Sequence, residues 1–219
     1  MARSPDRATG PTVGRLHTLT LLSCPLAWQE AGWRYNHNVE RYRIHADAAV
    51  YYLTYSVAEW LPVFVSQASC QIVTESLSFC HRAKELRVNA YVIMPAHLHM
   101  IVFDAEWDSE RLRRTLADLR KFTGRQLSDY CARHAPRCFA ETLRAQAVAD
   151  RERRFSEPSR HAEAIINEGF WRQKIDYLHD NPRRKGLVLS PQHWRYSSAA
   201  WHLLGDSQPV DVPLPHIAW

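Results

Sequence analysis

The sequence lacks the cysteine pattern of a disulfide-stabilised or zinc-stabilised domain. Its five cysteines are odd in number, and none of them lies in a CxxC pair. Disulfide frameworks use even sets of cysteines, and cysteine zinc sites use closely spaced pairs, so neither is indicated. A reducing cytoplasm is therefore the expected location.

The chain also lacks a long uninterrupted apolar run. Its most apolar stretch, residues 48–65, contains Glu59, Pro62 and several hydroxyl-bearing side chains. A membrane-spanning helix needs about 20 consecutive apolar residues, so this stretch is predicted to form a buried strand and a turn. No association with a membrane is expected.

The composition fits a folded, basic domain. The chain has 219 residues, of which 46% are hydrophobic, and this is enough to bury a core. The formal net charge is +5 and the sequence pI is about 9.1. Such a balance suits a polyanionic partner, and it is equally compatible with a soluble protein that is merely basic.

The chain divides into three predicted parts. Residues 1–45 show no sustained hydrophobic period and contain turn formers, so we interpret them as a leader that is either disordered or produced by a start codon placed too far upstream. Residues 46–189 are predicted to form the functional domain. The tail, residues 190–219, is aromatic and basic, which suits contact with DNA or packing on the domain.

Hydrophobic periodicity predicts a mixed fold. Strands are predicted at 50–57, 86–94 and 97–103, and helices at 66–84, 109–134 and 168–181. A further, interrupted strand is predicted within 155–165, after a connection of undefined shape at 135–154. This order predicts an α+β fold with a ferredoxin-like antiparallel sheet, helices on one face and a C-terminal extension. The other face of the sheet is then open to carry a site.

Two histidines mark the third predicted strand. His97-Leu98-His99 follows Met94-Pro95, and side chains alternate along a strand, so both imidazoles point to one face. Two adjacent imidazoles can hold one metal ion. An isolated HxH pattern is more often accidental or structural than a ligand pair.

The last predicted helix carries Tyr177 and Asn181, which are four residues apart and therefore share a face. They lie off the apolar stripe, so burial does not obviously explain them. With a reference pKa of about 10, tyrosine is a poor nucleophile at neutral pH. A cation held by the histidines could polarise a phosphodiester and let the tyrosine attack phosphorus. An amide oxygen beside two imidazoles would complete a set of N and O ligands suited to Mg²⁺ or Mn²⁺.

Together these segments resemble the REP-associated tyrosine transposases, which belong to the single-tyrosine HUH transposases of bacterial insertion sequences. The resemblance is carried by residues 91–102, which contain the histidine pair, and by residues 176–182 with 186–188, which contain the tyrosine. Residues 194–198 resemble the family's C-terminal Trp-x-x-Ser-Ser element, and residues 50–64 resemble its first strand and turn. The similarity extends from about residue 46 to 201.

The resemblance implies a DNA transposase that nicks and rejoins single-stranded DNA beside imperfect hairpins. His97 and His99 would be ligands of Mg²⁺ or Mn²⁺, and Asn181 would be the third ligand. Tyr177 would form a 5′-phosphotyrosine link and leave a free 3′-hydroxyl. The expected partner is hairpin or single-stranded DNA, and the expected state is a monomer or a homodimer.

A set of basic and aromatic side chains is predicted to contact the DNA. For the residues on the long helix 109–134, an ordinary solvated face is the alternative interpretation. The set comprises Arg114, Arg120, Lys121, Arg125, Arg183, Arg184, Lys185, Trp194 and Arg195.

Some features leave other functions open. Ala96 stands where the family usually has Asn before the first histidine, which predicts a looser turn ahead of His97. One alternative is a nucleic-acid-binding module that keeps the sheet without cleaving DNA. Another is a metallohydrolase that uses the two histidines and a bound water, and it differs in not needing Tyr177 for cleavage.

Overall fold

The structure is a computed structural model that describes residues 44, 49–145, 155–156, 162–205 and 207–217. The predicted leader, residues 1–45, lies outside the described residues except for Ile44. Within the described part, the strands are β1 (Val50–Ser56), β2 (Leu86–Met94), β3 (His97–Asp104) and β4 (Ala162–Ile165). The helices are α1 (Gln67–Ala83), α2 (Ser109–His134), α3 (Arg137–Ala145), α4 (Glu168–Arg184) and α5 (Ala199–Leu204).

The four strands form one antiparallel sheet in the order β2-β3-β1-β4. With α1 between β1 and β2, and α2 and α3 between β3 and β4, this is the ferredoxin-like arrangement. The predicted α+β class is confirmed. Across the described residues, no helix is long and apolar enough to cross a membrane.

The sheet buries both of its faces. On one face, residues such as Leu98 and Met100 share a core with α1 and α2. This agrees with the prediction that these helices cover one face of the sheet. The opposite face packs against Ile175 and Leu178 of α4. The prediction of helices on one face therefore holds for α1 and α2 and not for α4, whose own apolar stripe has to be buried against the sheet.

Helix boundaries follow local capping. The Ser66 side chain accepts a hydrogen bond from the Ser69 amide and caps α1, and the Asp108 side chain accepts one from the Arg111 amide and caps α2. The buried stripe of α2 includes Leu119 and Leu127, whereas Phe122 is 57% exposed. At 3.6 residues per turn, position 123 rather than 122 continues the inner face.

The end of α4 differs from the prediction. The helix predicted at 168–181 continues to Arg184, with Pro182 in its last turn. The helix ends in a Schellman motif, in which the Gly186 amide donates to the Arg183 carbonyl and the Leu187 amide donates to the Pro182 carbonyl. Gly186 supplies the required positive φ of 70°.

A β-bulge in β2 fixes the position of α4. The pairing of β2 with β3 shifts by one residue between Val88 and Ala90, which leaves Asn89 as the extra residue. The Asn89 side chain accepts a hydrogen bond from Trp171 Nε1 at the start of α4 and donates one to the Pro215 carbonyl in the tail. The bulge thus ties both α4 and the tail to the sheet.

Two connections differ from the periodicity-based prediction. Residues 137–145, which belong to the predicted connection of undefined shape, form α3. Within 155–165, where a strand was predicted, the described residues form β4 and an isolated bridge between Ser156 and Val57. The short run of alternating residues in β4 was too brief for a periodicity signal to bound it.

Candidate active site

The histidine pair lies on the sheet face that packs against α4. His99 is buried and His97 is half-buried, and their ring centroids are 4.7 Å apart. Leu98 and Met100 point to the opposite core. The side chains of β3 therefore alternate between the two faces as the sequence predicted, and the two imidazoles are adjacent.

Two hydroxyl groups of β1 surround the Nδ1 atom of His99. Tyr52 Oη and Thr54 Oγ1 each lie 2.8 Å from this nitrogen. Strand pairing brings them there, because Thr54 is directly opposite His99 and Tyr52 is two residues further along the same face. With its Nδ1–H donated to these oxygens, His99 would present a free lone pair on Nε2.

Burial keeps both imidazoles neutral. Desolvation, together with the charge of Lys185, lowers the pKa of His97 to about 4. Desolvation, followed by the charges of His97 and Lys174, lowers the pKa of His99 well below its usual 6.5. Neutral imidazole is the form that ligates metals.

These residues fit a divalent metal ion. The Nδ1 atom of His97 is buried and makes no hydrogen bond to any described residue. A buried ring nitrogen without a partner is uncommon and calls for an explanation such as an ion or a ligand. Two neutral, adjacent imidazoles with one unsatisfied nitrogen are the donors that a metal such as Mn²⁺ accepts.

Tyr177 lies beside the histidine pair. Its ring centroid is 6.0 Å from that of His99 and 6.4 Å from that of Tyr52, with edge-on geometry in both cases. The side chain is 43% exposed, so its hydroxyl-bearing ring is accessible to a substrate. The structure therefore brings Tyr177 beside His99, which in turn adjoins His97.

Asn181 follows Tyr177 by one helical turn on the same face of α4 and is buried. Lys185 follows by a further turn, and its charge acts on His97, whereas Tyr177 contacts His99. Asn181 thus lies between two residues that approach the two histidines. This position is compatible with the predicted third ligand, and that role stays a prediction.

Cations of α4 accompany the tyrosine. The Arg184 guanidinium carbon lies 5.1 Å from the Tyr177 ring centroid. Lys174 lies 4.8 Å from the Tyr52 ring centroid and also pairs with Glu163 at 2.7 Å. Among the described residues, α4 and its C-terminal cap thus supply the cations named here beside the histidines and Tyr177.

The other residues predicted to bind DNA lie on α2, in the tail or, for Arg183, in an ion pair on α4. Those on α2 lie on the helix that packs against the opposite face of the sheet. Trp194 Nε1 donates to the Ile93 carbonyl, and Arg195 forms an ion pair with Asp211. Arg183 pairs with Asp180. Trp194 and Arg195 thus have partners within the chain. For these two residues the structure favours packing on the domain over contact with DNA.

The turn before His97 is held by backbone hydrogen bonds from the segment that follows β1. The Ala96 carbonyl accepts a hydrogen bond from the Val57 amide, and the Pro95 carbonyl accepts one from the Phe64 amide, both at 2.9 Å. These bonds use only backbone atoms. The turn therefore has its own anchor to the loop after β1, although it lacks the asparagine usual in the resembled family.

His179 is a structural neighbour of the site. Its Nε2 lies 2.8 Å from Ser198 Oγ, which is also bound to the backbone of Tyr91, so this histidine links α4 to the tail. Burial lowers the pKa of His179 to about 3. We therefore assign it to packing of α4 rather than to chemistry.

This assignment predicts a pH dependence of stability. Because the unfolded chain protonates His179 near pH 6.5 and the folded chain only near pH 3, the free energy of unfolding should fall as the pH drops through that interval. His179→Gln retains an amide that can bond to Ser198 and does not titrate, so its loss of stability should be shallower. Urea titrations at several pH values measure the two slopes. Equal slopes in the two proteins would show that His179 does not contribute to the pH dependence of the free energy of unfolding.

Sequence patterns alone missed Tyr52 and Thr54. Their spacing of two residues within β1 repeats that of the histidines within β3, and this is the signal that could have found them. Using that signal requires the pairing register between β1 and β3, which periodicity does not provide.

Fold and site together define a class: a ferredoxin-like sheet whose central strand carries paired histidines under a helix that bears a tyrosine. No family model matches the chain, and no curated protein matches it with significant similarity. Among solved structures, the chain is similar to a REP-associated tyrosine transposase bound to a REP hairpin. The identity is 18% and the TM-score 0.49, over 78% of this chain and 89% of that one. Similarity at this level carries nothing about chemistry, which we derive from the chain's own residues.

Proposed function

We propose that the protein is an enzyme that cleaves and rejoins single-stranded DNA beside hairpins, through a covalent 5′-phosphotyrosine intermediate, as expected of a single-tyrosine transposase. One observation carries this proposal: the accessible Tyr177 ring lies 6.0 Å from His99, whose ring is 4.7 Å from His97. A tyrosine nucleophile beside an open pair of neutral imidazoles is suited to phosphoryl transfer.

The reaction exchanges one phosphodiester for another. The Tyr177 oxygen forms a bond to phosphorus, and the bond between phosphorus and the 3′-oxygen breaks. The phenol loses its proton, and the departing 3′-oxygen gains one. Because a phosphodiester is kept throughout, attack by a 3′-hydroxyl on the phosphotyrosine reverses the step without a nucleotide cofactor.

The chain's own residues prepare this step. His97, His99 and Asn181 would hold Mg²⁺ or Mn²⁺, which when bound supplies Lewis-acid stabilisation of charge on the phosphate. Tyr52 and Thr54 would fix the orientation of His99 by accepting a hydrogen bond from its Nδ1–H group. Arg184, whose guanidinium carbon lies 5.1 Å from the centroid of the Tyr177 ring, would supply positive charge near the phenolate and the phosphate.

The cations at the end of α4 are proposed to hold the DNA backbone. Arg184 lies over Tyr177, and Lys185 is close enough to His97 to lower its pKa. Lysine and arginine side chains bind phosphates largely irrespective of sequence. The residues of α2 are left out of this surface, because α2 packs on the other side of the sheet from the histidines.

Trapping the covalent intermediate tests the proposal. The protein is mixed with Mn²⁺ and labelled hairpin DNAs taken from the sequence around its own gene, and products are separated under denaturing conditions. We expect a labelled protein band and a matching DNA fragment with a free 3′-hydroxyl. Cleavage without such a band would favour the metallohydrolase, and binding without cleavage would favour the non-catalytic module.

The hydroxyl groups around His99 give a second prediction. Tyr52→Phe and Thr54→Val each remove one of the two oxygens beside Nδ1, so we expect each to weaken Mn²⁺ binding, and the double variant to weaken it by roughly 10- to 100-fold. Titration of Mn²⁺ by electron paramagnetic resonance measures this without DNA. Unchanged affinity in the double variant would show that these hydroxyl groups do not orient the ligand.

A further inference from the structure

An exposed tryptophan adjoins the histidine pair. Trp60, in the loop between β1 and α1, is 61% exposed, and its ring centroid lies 5.4 Å from that of His97 in an edge-on contact at 74°. Tryptophan side chains are usually well buried, and a large exposed indole beside a polar site needs a reason. Among the described residues, the edge-on contact with His97 is the one aromatic contact of Trp60.

The backbone that presents Trp60 is strained. Glu59 and Trp60 have φ values of 52° and 53°, in the left-handed region that residues other than glycine seldom adopt. Such conformations cost on the order of 1–3 kcal/mol each and are enriched at functional sites. Burial of the indole does not offset this cost.

The strained loop is tied to the site. The Trp60 amide donates to the Val57 carbonyl, and the Val57 amide donates to Ala96 in the turn that precedes His97. The same turn accepts the Phe64 amide from the other end of the loop. The backbone that carries Trp60 is thereby held against the turn that precedes His97.

We propose that Trp60 is a stacking platform for an unpaired DNA base, namely that of the nucleotide next to the scissile phosphate. The position next to the scissile phosphate rests on the proposed function, because that function supplies the cleavage. The flat face of an exposed indole is the surface on which unpaired bases stack, with a gain of about 1–3 kcal/mol per base. The occupant is single-stranded DNA because base faces are covered by their neighbours in a duplex.

The contacts also assign the side of the phosphate. Ring contacts run in the order Trp60, His97, His99, Tyr177, so the tryptophan and the tyrosine adjoin different histidines. In an in-line displacement, the attacking and leaving oxygens lie on opposite sides of phosphorus. The nucleotide that departs with the 3′-hydroxyl is therefore the one on the Trp60 side.

Binding of a single-stranded oligothymidylate, without metal, tests the stacking. We expect Trp60→Ala to weaken binding about 10-fold, which corresponds to 1.4 kcal/mol, and Trp60→Phe to weaken it less. Trp107→Ala is a matched control, because Trp107 is 54% exposed, has φ 61° and stacks on Phe103 toward the other end of β3. Its affinity should equal that of the unsubstituted protein.

Photocrosslinking locates the contact. With 5-iododeoxyuridine in the oligothymidylate, the crosslinked peptide should contain Trp60. Normal affinity of Trp60→Ala, or a crosslink elsewhere, would overturn the stacking. Oligothymidylate binding does not require DNA cleavage, so it tests the stacking even if no phosphotyrosine forms. If Trp60→Ala bound the oligonucleotide with unchanged affinity and still formed the phosphotyrosine, only the stacking would be refuted. On a hairpin that is cleaved, a crosslink from the base 3′ rather than 5′ of the broken bond would overturn the assignment of the side.

Discussion

Tyr177→Phe should abolish the covalent protein–DNA adduct and lower the nicking rate by about 10³-fold or more. The substitution removes one oxygen and leaves the ring that packs beside His99 and under Arg184, so the fold and the cation contact should persist. Loss of the attacking atom removes the nucleophilic route altogether, whereas DNA and Mn²⁺ binding should stay close to normal. Denaturing gels of Mn²⁺ reactions measure adduct and nick together.

Tyr196→Phe is the matched control. Tyr196 also carries an arginine over its ring, with the Arg195 guanidinium carbon at 5.1 Å, and it lies in the tail that packs on β2. This variant should form the adduct at the normal rate. If Tyr177→Phe still cleaved DNA with a free 5′-phosphate as product, water would be the nucleophile and the site would be that of a metallohydrolase.

The sheet and the histidine strand could be predicted from sequence because their signals are local. β2 and β3 are rich in apolar residues and are separated by Pro95-Ala96, and the period of two along β3 puts His97 and His99 on the same side. Tyr177 and Asn181 could be placed on one helix face by the same kind of local periodicity. That α4 covers the histidine face is consistent with its apolar stripe but not dictated by it.

The remainder of the site depends on contacts between distant parts of the chain. Tyr52 and Thr54 reach His99 through the register of β1 against β3, across more than forty residues of sequence. Trp60 reaches His97 through backbone bonds to the Pro95-Ala96 turn and a left-handed loop that no propensity favours. Such placements follow from tertiary hydrogen bonds, which single-sequence patterns do not encode.

His99→Ala should weaken Mn²⁺ binding by at least about 100-fold and abolish the adduct, and His97→Ala should do the same. Each substitution removes one of two adjacent imidazoles, and loss of a direct ligand should exceed the roughly 10- to 100-fold effect of losing an outer partner. Spectroscopic titration of Mn²⁺ measures the affinity independently of DNA. His134→Ala, at the exposed end of α2, is the control and should bind Mn²⁺ normally.

The pH dependence of Mn²⁺ affinity distinguishes this buried pair from a surface site. Protons compete with the metal only below the pKa of a ligand in the folded protein, and burial lowers that pKa to about 4 for His97 and well below 6.5 for His99. Affinity in the unsubstituted protein should therefore stay constant from neutral pH down to about pH 5 and fall only as the pH approaches 4. A loss of affinity centred between pH 6 and 7 would place the ion on solvent-exposed histidines, outside the site formed by His97, His99 and Tyr177.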